Sequence, residues 1–444
     1  MKSFIKWVIF IVMTALTLVG CSRGGNFTSN RATVPATTKN MQTLTSATSP
    51  HSAISLTMKE KLEDFEYMWT IMEENYPFFE VNKRLHGKDW LADKDKYRSQ
   101  IEATATDEEF YKEMNITLMQ LNNGHTGLLD RAFYNQLFSI YTSPQIYGSG
   151  PWAEVLKQPK VLSRYGQSPA AEQQRSNEQG DSVNNATDQS GANGCGTGNI
   201  KKLMIQENEA AYLGIRSFDT KFMKCDATEI RNFLTQVKDY DSLIIDIRGN
   251  GGGNSSYWSN YIVPLLIQEP ITYNTYYLYR GGTFADEFLN ARGILSLEPI
   301  ANIENEHLPA LPPEATTLFK SYTKETNVFE PVNPVGFKGD IYLLVDNFVF
   351  SASEGFAAFA KGTDFATIIG GRTGGDGLGI DPLLVALPNS GFVFRFSFQM
   401  GLSSDGSCNE EVKTTPDVEV DPDTSKPLLK QPAIKKALEL AASS

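Results

Sequence analysis

Ser351 and Ser353 stand where an apolar run, Ile341-Tyr342-Leu343-Leu344-Val345, gives way through Asp346-Asn347 to Phe348-Val349-Phe350-Ser351-Ala352-Ser353-Glu354. The pattern predicts a buried strand that turns into a helix and presents a serine. A hydroxyl on such a turn is exposed, and the N–H groups of the first helical turn lack intrahelical partners, so they can receive a developing negative charge. With a base nearby, such a serine is a nucleophile. Without one, Ser351 or Ser353 is a helix cap, and Glu354 is an acid favoured by the helix dipole. The base near neutral pH is most often histidine, and the chain has four. His51 lies in a Ser/Thr-rich stretch, His86 beside Gly87 and His307 in a Pro/Glu-rich segment. His125 is the best framed of them, because Asn122-Asn123-Gly124-His125-Thr126 leaves a helical pattern through a turn.

A second turn follows the apolar run 242–247: Arg248-Gly249-Asn250-Gly251-Gly252-Gly253. It lacks the Gly-Lys-Ser/Thr ending of a phosphate loop and the three-glycine spacing of a dinucleotide site. Glycines there let backbone N–H groups approach a substrate carbonyl as half of an oxyanion hole, or simply make a tight strand-to-helix connection. No His-x-x-x-His or Cys-x-x-Cys spacing is present, so neither metal nor cofactor is expected.

Around these turns the chain reads as α/β. Length (444 residues) allows two or three domains, and 41% hydrophobic with 11% aromatic content supports a globular core. A net charge of −12 without a Lys/Arg cluster argues against a nucleic-acid partner. Residues 1–20 have a basic start and a short apolar run, the form of an export signal. Leu18-Val19-Gly20-Cys21 resembles the bacterial lipobox, which implies lipidation at Cys21, a membrane anchor as partner and a place in the bacterial cell envelope, at the outer membrane in a Gram-negative source. Residues 21–56 read as a flexible tether and 57–140 as an N-terminal helical domain, with helices near 57–76, 89–101 and 107–121. Residues 141–200 read as a polar, partly disordered insertion, whose Cys195 hints at a disulfide to Cys225 or Cys408. A core follows over 201–430: strands near 202–205, 211–215, 242–247, 271–279, 341–345 and 366–370, a helix over 228–237, one over 255–267, a cap-like excursion over 281–335, and a hairpin of 383–387 with 391–400. A final helix covers 432–442 within a C-terminal segment 431–444.

Asn-Asn-Gly-His-Thr at 122–126, Asp-Ile-Arg-Gly-Asn-Gly-Gly-Gly at 246–253, Ser-Ala-Ser-Glu at 351–354, Gly-Arg-Thr at 371–373 and Thr-Pro-Asp-Val at 415–418 together resemble the S41 peptidases. These are the carboxyl-terminal processing, tail-specific and tricorn-like serine proteases. The resemblance implies a ClpP/crotonase-like α/β peptidase core. At the position of the lysine in the Ser/Lys type stands Asp376, so the resemblance is to the Ser/His/Glu type. It implies Ser351 as nucleophile, His125 as general base, and Glu410, with Glu411 as the near alternative, orienting the histidine directly or through another polar group. The oxyanion hole would be Ala352 N–H with Gly251 or Gly252. Two departures stand out. Gly124 replaces the serine that precedes the histidine in tricorn, and Val349-Phe350 precede the nucleophile where smaller residues are usual. The interval before the core carries no PDZ-like text, so no PDZ domain is predicted and substrate is expected as an extended strand. The function expected is a membrane-anchored serine endopeptidase acting on peptides or proteins that are exported or at the surface. The alternative is a non-catalytic ligand- or peptide-binding lipoprotein on the same fold.

Overall fold

The computed structural model describes residues 55–143, 148–166 and 198–443. The export signal, Cys21, most of the tether and Cys195 lie outside the described residues. Cys225 is disulfide-bonded and Cys408 is a free, buried thiol. No helix of the described residues is long and apolar enough to cross a membrane.

The inner strands of the central sheet are largely apolar and buried, as strands covered on both faces must be. In spatial order the sheet runs β13 (Val418–Glu419), β9 (Thr367–Gly370), β8 (Asp340–Val345), β4 (Ser242–Asp246), β3 (Ala210–Ile215) and β2 (Ile200–Gln206). All neighbours are parallel except the β2–β3 edge pair. β4 and β8 lie side by side, with Ile245 opposite Leu343 and Asp246 opposite Leu344. Both glycine- and serine-bearing turns therefore leave the same edge of the sheet, where α/β folds build their sites. Helices Thr220–Gln236 and Ala352–Thr363 pack on one face through Phe233, Phe356 and Phe359. Helix Pro432–Ala441 covers the other through Ala433, Ile434 and Ala437, so this last segment belongs to the core.

Two antiparallel sheets adjoin the central one. The first orders β1 (Gly127–Leu128), β11 (Val393–Phe396) and β10 (Leu383–Ala386); the second orders β12 (Gln399–Leu402), β5 (Ile271–Tyr279), β7 (Ser321–Phe329) and β6 (Glu298–Pro299). The N-terminal helices Met58–Asn75, Phe79–His86, Lys94–Glu102 and Asp107–Met119 share one apolar cluster with these sheets, so they are not a separate body. Asp64, fully buried, accepts from the N–H groups of Asn389 and Ser390 at 2.8 Å each and so joins the first helix to the β10–β11 turn.

Five segment readings need correction. The 141–200 insertion contains helices Gly150–Leu156 and Pro159–Tyr165, each too short to show periodicity yet anchored by buried Trp152 (Nε1 to Pro382 O, 2.8 Å) and Arg164 (Nε to Ser390 O, 2.7 Å). The 281–335 excursion carries β7, paired with β5 over nine residues; the polar run Thr323-Lys324-Glu325-Thr326-Asn327 hid it. The helix at 255–267 is two pieces, Ser256–Tyr261 and Val263–Leu266, because Pro264 cannot continue the first. The 391–400 strand breaks at Ser397-Phe398, and its second half leaves for β5. Leu56 is already buried, with its N–H on Asp107 Oδ1 at 2.9 Å, so the folded body begins before the expected tether ends.

Candidate active site

His125 sits in the turn between helix Asp107–Met119 and β1. Asn123 shapes that turn: its Oδ1 accepts from His125 N–H (3.1 Å) and Thr126 Oγ1 (2.7 Å). Pairing of β1 with β11, Gly127 opposite Arg395, fixes the turn against the first antiparallel sheet, and Arg395 Nη2 donates to Gly124 O at 3.1 Å. The residue is 5% exposed, and its imidazole packs on Phe350 with ring centroids 4.7 Å apart. A Cβ on Gly124 would lie 2.8 Å from Phe350 Cζ. The two departures noted in the sequence are thus one: the bulk of Phe350 occupies space that a side chain at 124 would need.

Ser351 occupies the strand-to-helix turn with φ 57° and ψ −126°, a conformation costly for a side-chain-bearing residue. Its surroundings hold it there. Ser351 N–H donates to Gly375 O (3.3 Å), and Gly355 N–H donates back to Ser351 O (2.9 Å). Ser353, fully buried, accepts from Phe350 N–H at 3.1 Å and donates to the carbonyls of Asn250 and Phe350. Ser353 is the local stay of the turn, while the Ser351 side chain makes no capping bond. Capping is therefore not what Ser351 does.

The partner of His125 is Asp376. Its Oδ2 lies 2.8 Å from Nδ1 of the ring, and the same oxygen accepts from Asn123 Nδ2 (2.7 Å) and Ser397 Oγ (3.0 Å). Burial opposes the charge, but neighbouring His125 and the three hydrogen bonds hold the Asp376 carboxyl below the usual carboxylate range. The opposite ring nitrogen, Nε2, is buried with no hydrogen-bond partner among the described residues. His125, Ser351, Asp376 and Ser397 line a common cavity of about 20 Å³.

Glu410 does not touch the histidine. Its Oε1 accepts from Asn123 Nδ2 at 3.1 Å, placing it one polar group behind the ring. Burial, followed by the charge of Asp376, pushes its carboxyl well up and favours its neutral form, while the Asp376 carboxyl is held low. Glu411 is turned away: both its oxygens take Arg84, at 2.7 Å each. Of the expected oxyanion donors, Ala352 N–H opens the helix and makes no hydrogen bond among the described residues. Gly252 is a correction, because its N–H is already given to Asn250 Oδ1 at 2.9 Å. Gly251 stays in the same turn, half-buried. Sequence reasoning missed Asp376, Asn123 and Ser397 as parts of the site. One signal was available: a lone carboxylate amid Gly374-Gly375-Asp376-Gly377, where flexibility alone needs no charge.

Two family models match this chain. Residues 209–420 match the model of peptidase family S41, and residues 58–117 match that of the tricorn protease C1 domain. Over residues 209–420 this chain is an S41 peptidase. That makes it a serine-type peptidase, with the S41 domain contributing Ser351 and Asp376 and the preceding helices delivering His125. The S41 fold extends beyond the matched residues. A candidate peptidase from Parabacteroides merdae superposes with a TM-score of 0.54 at 20% identity, covering 86% of this chain and 96% of that one. Mature CPAF complexed with lactacystin gives 0.52 at 12% identity, covering 87% and 97%. At such identities the likeness speaks for the fold. No curated protein matches the sequence. Among the described residues, no group of three or more His, Cys, Asp or Glu side chains could hold a metal ion.

Proposed function

We propose that this S41 peptidase is an endopeptidase that cleaves exported or surface peptides and proteins through an acyl-enzyme, held at a membrane by lipid on Cys21. The observation that carries the chemistry is the Asp376 Oδ2 to His125 Nδ1 contact of 2.8 Å, with Nε2 unpartnered in the cavity that Ser351 also lines. An aspartate on Nδ1 fixes the tautomer that leaves Nε2 able to accept a proton. Ser351 Oγ attacks the scissile carbonyl carbon and its proton passes to His125 Nε2. The tetrahedral oxygen anion is received by Ala352 N–H, aided by the N-terminus of the Ala352–Thr363 helix. Collapse expels the amine, which takes the proton from His125, and a water repeats the sequence to release the acid. Asp376 remains ionised throughout, and Glu410 supports it through Asn123 as a neutral neighbour. The binding-protein alternative is not favoured, since the acid–base pair it would not need is assembled and buried.

Ser351→Ala is expected to abolish hydrolysis of a fluorogenic peptide while the melting temperature stays near wild type. Asp376→Asn is expected to lower kcat about 10⁴-fold, the loss seen when a triad carboxylate is neutralised. Glu410→Gln is expected to stay within about tenfold of wild type, because it keeps a neutral group in place of a neutral group. Equal losses at Asp376 and Glu410 would show that the histidine depends on both acids. Undiminished turnover in Ser351→Ala sinks the mechanism. Release of the Cys21→Ala protein from membranes, with hydrolysis intact, tests the anchor.

A further inference from the structure

A chamber of about 310 Å³ lies beside the Ser351 cavity and shares a wall with it. The shared wall is Gly377-Leu378-Gly379, and Gly355, on the first turns of the Ser351 helix, closes the same corner of the chamber. The partition is bare backbone there. A Cβ on Gly377 would lie 2.5 Å from Gly355 N, and one on Gly355 would lie 3.0 Å from Gly377 O. Only one thickness of chain therefore separates the chamber from the serine.

The remaining walls carry four aromatic rings, with uncharged Ser, Thr and Asn side chains among them. Trp258 stacks on Phe329 with centroids 5.6 Å apart, and β5 supplies Tyr273 and Tyr277. No Lys, Arg or His lines the chamber among the described residues, and its one acid, Glu330, is exposed. Small-molecule sites span roughly 300–1,000 Å³, so this one has room for a single bulky side chain and not for a folded segment.

We propose that this chamber receives the substrate side chain next to the scissile bond and selects a bulky, uncharged one, aromatic above all, against acidic ones. The proposal rests on the peptidase reading of Ser351. Aromatic walls reward a ring by area and by edge and offset contacts. A carboxylate entering them would be stripped of water with no cation to meet it and would face Glu330.

The test uses peptides that differ only in the residue contributing the carbonyl of the cleaved bond: Tyr, Ala or Glu. The tyrosine peptide is expected to exceed the alanine one in kcat/KM by about tenfold or more, with the glutamate peptide lowest. Ser259, half-buried in the chamber wall and remote from the proposed relay, offers a filling site. Ser259→Trp should remove the tyrosine preference, bringing kcat/KM for the tyrosine peptide down to about that for the alanine peptide. Glu330→Lys, on the exposed rim, should raise kcat/KM for the glutamate peptide about tenfold. Rates independent of that residue, or an unchanged Tyr/Ala ratio in Ser259→Trp together with an unchanged Glu peptide in Glu330→Lys, overturn the proposal. Binding of N-acetyltyrosinamide to the Ser351→Ala protein by calorimetry separates the two readings. If no peptide is cleaved but this binding is seen and is lost in Ser259→Trp, the peptidase reading fails and the pocket stands. If neither cleavage nor binding occurs, the pocket falls.

Discussion

Gly124 and Phe350 are a matched pair across the site, since the ring that packs on His125 also fills the space where a side chain at 124 would go. Gly124→Ala should therefore displace either ring and lower kcat about tenfold or more, with little change in melting temperature. Combined with Phe350→Leu the loss should shrink, and a double-mutant cycle should show a coupling of roughly 0.5–3 kcal/mol. Strict additivity would mean the two do not share space in solution. Glu354 makes a second prediction at this scale. It is fully buried, its Oε1 accepts from Asn409 Nδ2 (2.7 Å) and Thr414 Oγ1 (2.8 Å), and burial pushes its carboxyl up to about 7. A carboxyl raised on folding contributes stability that is complete below its unfolded value near 4.5 and is lost as pH rises through about 7. Glu354→Gln should remove that loss, worth about 3 kcal/mol, so the variant's melting temperature should fall less than wild type's between pH 5 and 8. Parallel profiles would show that Glu354 is ionised in the folded protein.

At the scale of elements, the serine turn and the glycine turn support one another because β4 and β8 are neighbours. The Asn250 carbonyl receives Ser353 Oγ and Phe350 N–H, and Asn250 Nδ2 reaches Ile215 O at 3.2 Å, so three strand ends close into one assembly. Strain at Ser351 can persist only because this assembly fixes it. Ser353→Ala removes the bonds made by its own hydroxyl, to Asn250 O, Phe350 O and Phe350 N–H, without touching the proposed nucleophile. It should cost about 1–3 kcal/mol of stability and, at a temperature where the variant is fully folded, lower kcat more than KM rises. A melting temperature and kcat both equal to wild type would show that the turn does not depend on Ser353.

At the scale of the whole molecule, the second N-terminal helix and the segment that carries Glu410 meet beside the site. Arg84, from the second helix, is bidentate to buried Glu314 at 2.8 Å and also binds Glu411, next to Glu410, at 2.7 Å. The pair ties the helical region to the segment that backs the relay. Arg84→Ala leaves the Glu314 carboxylate buried without its partner and should cost about 2 kcal/mol by denaturant unfolding. Glu314→Gln in the same background should recover part of it. A loss confined to low salt would mark the pair as merely superficial.

Much was legible along the chain because it is locally encoded. Apolar runs announced β4 and β8, glycines and serine announced the turns behind them, and His125 stood out because so few histidines compete. Two neighbouring parallel strands carrying such turns at their ends all but require the turns to meet. Local pattern could not report which carboxylate faces the imidazole. Glu410 and Asp376 are both acids near a family motif, and the choice depends on which loop the β1–β11 pairing brings under the ring. Nor could it show that Gly124 and Phe350, far apart in sequence, divide one volume. The short helices at 150–165 and strand β7 escaped because their burial comes from partners distant in the chain, not from a period of their own. The sequence by itself determined the inner strands, the turns that bear the site and the nucleophile–base candidates, since each is written within a few consecutive residues. Only the tertiary structure decided the acid behind the histidine, the occupied and open backbone donors and the chamber beside the serine, since each depends on which distant segments pack together.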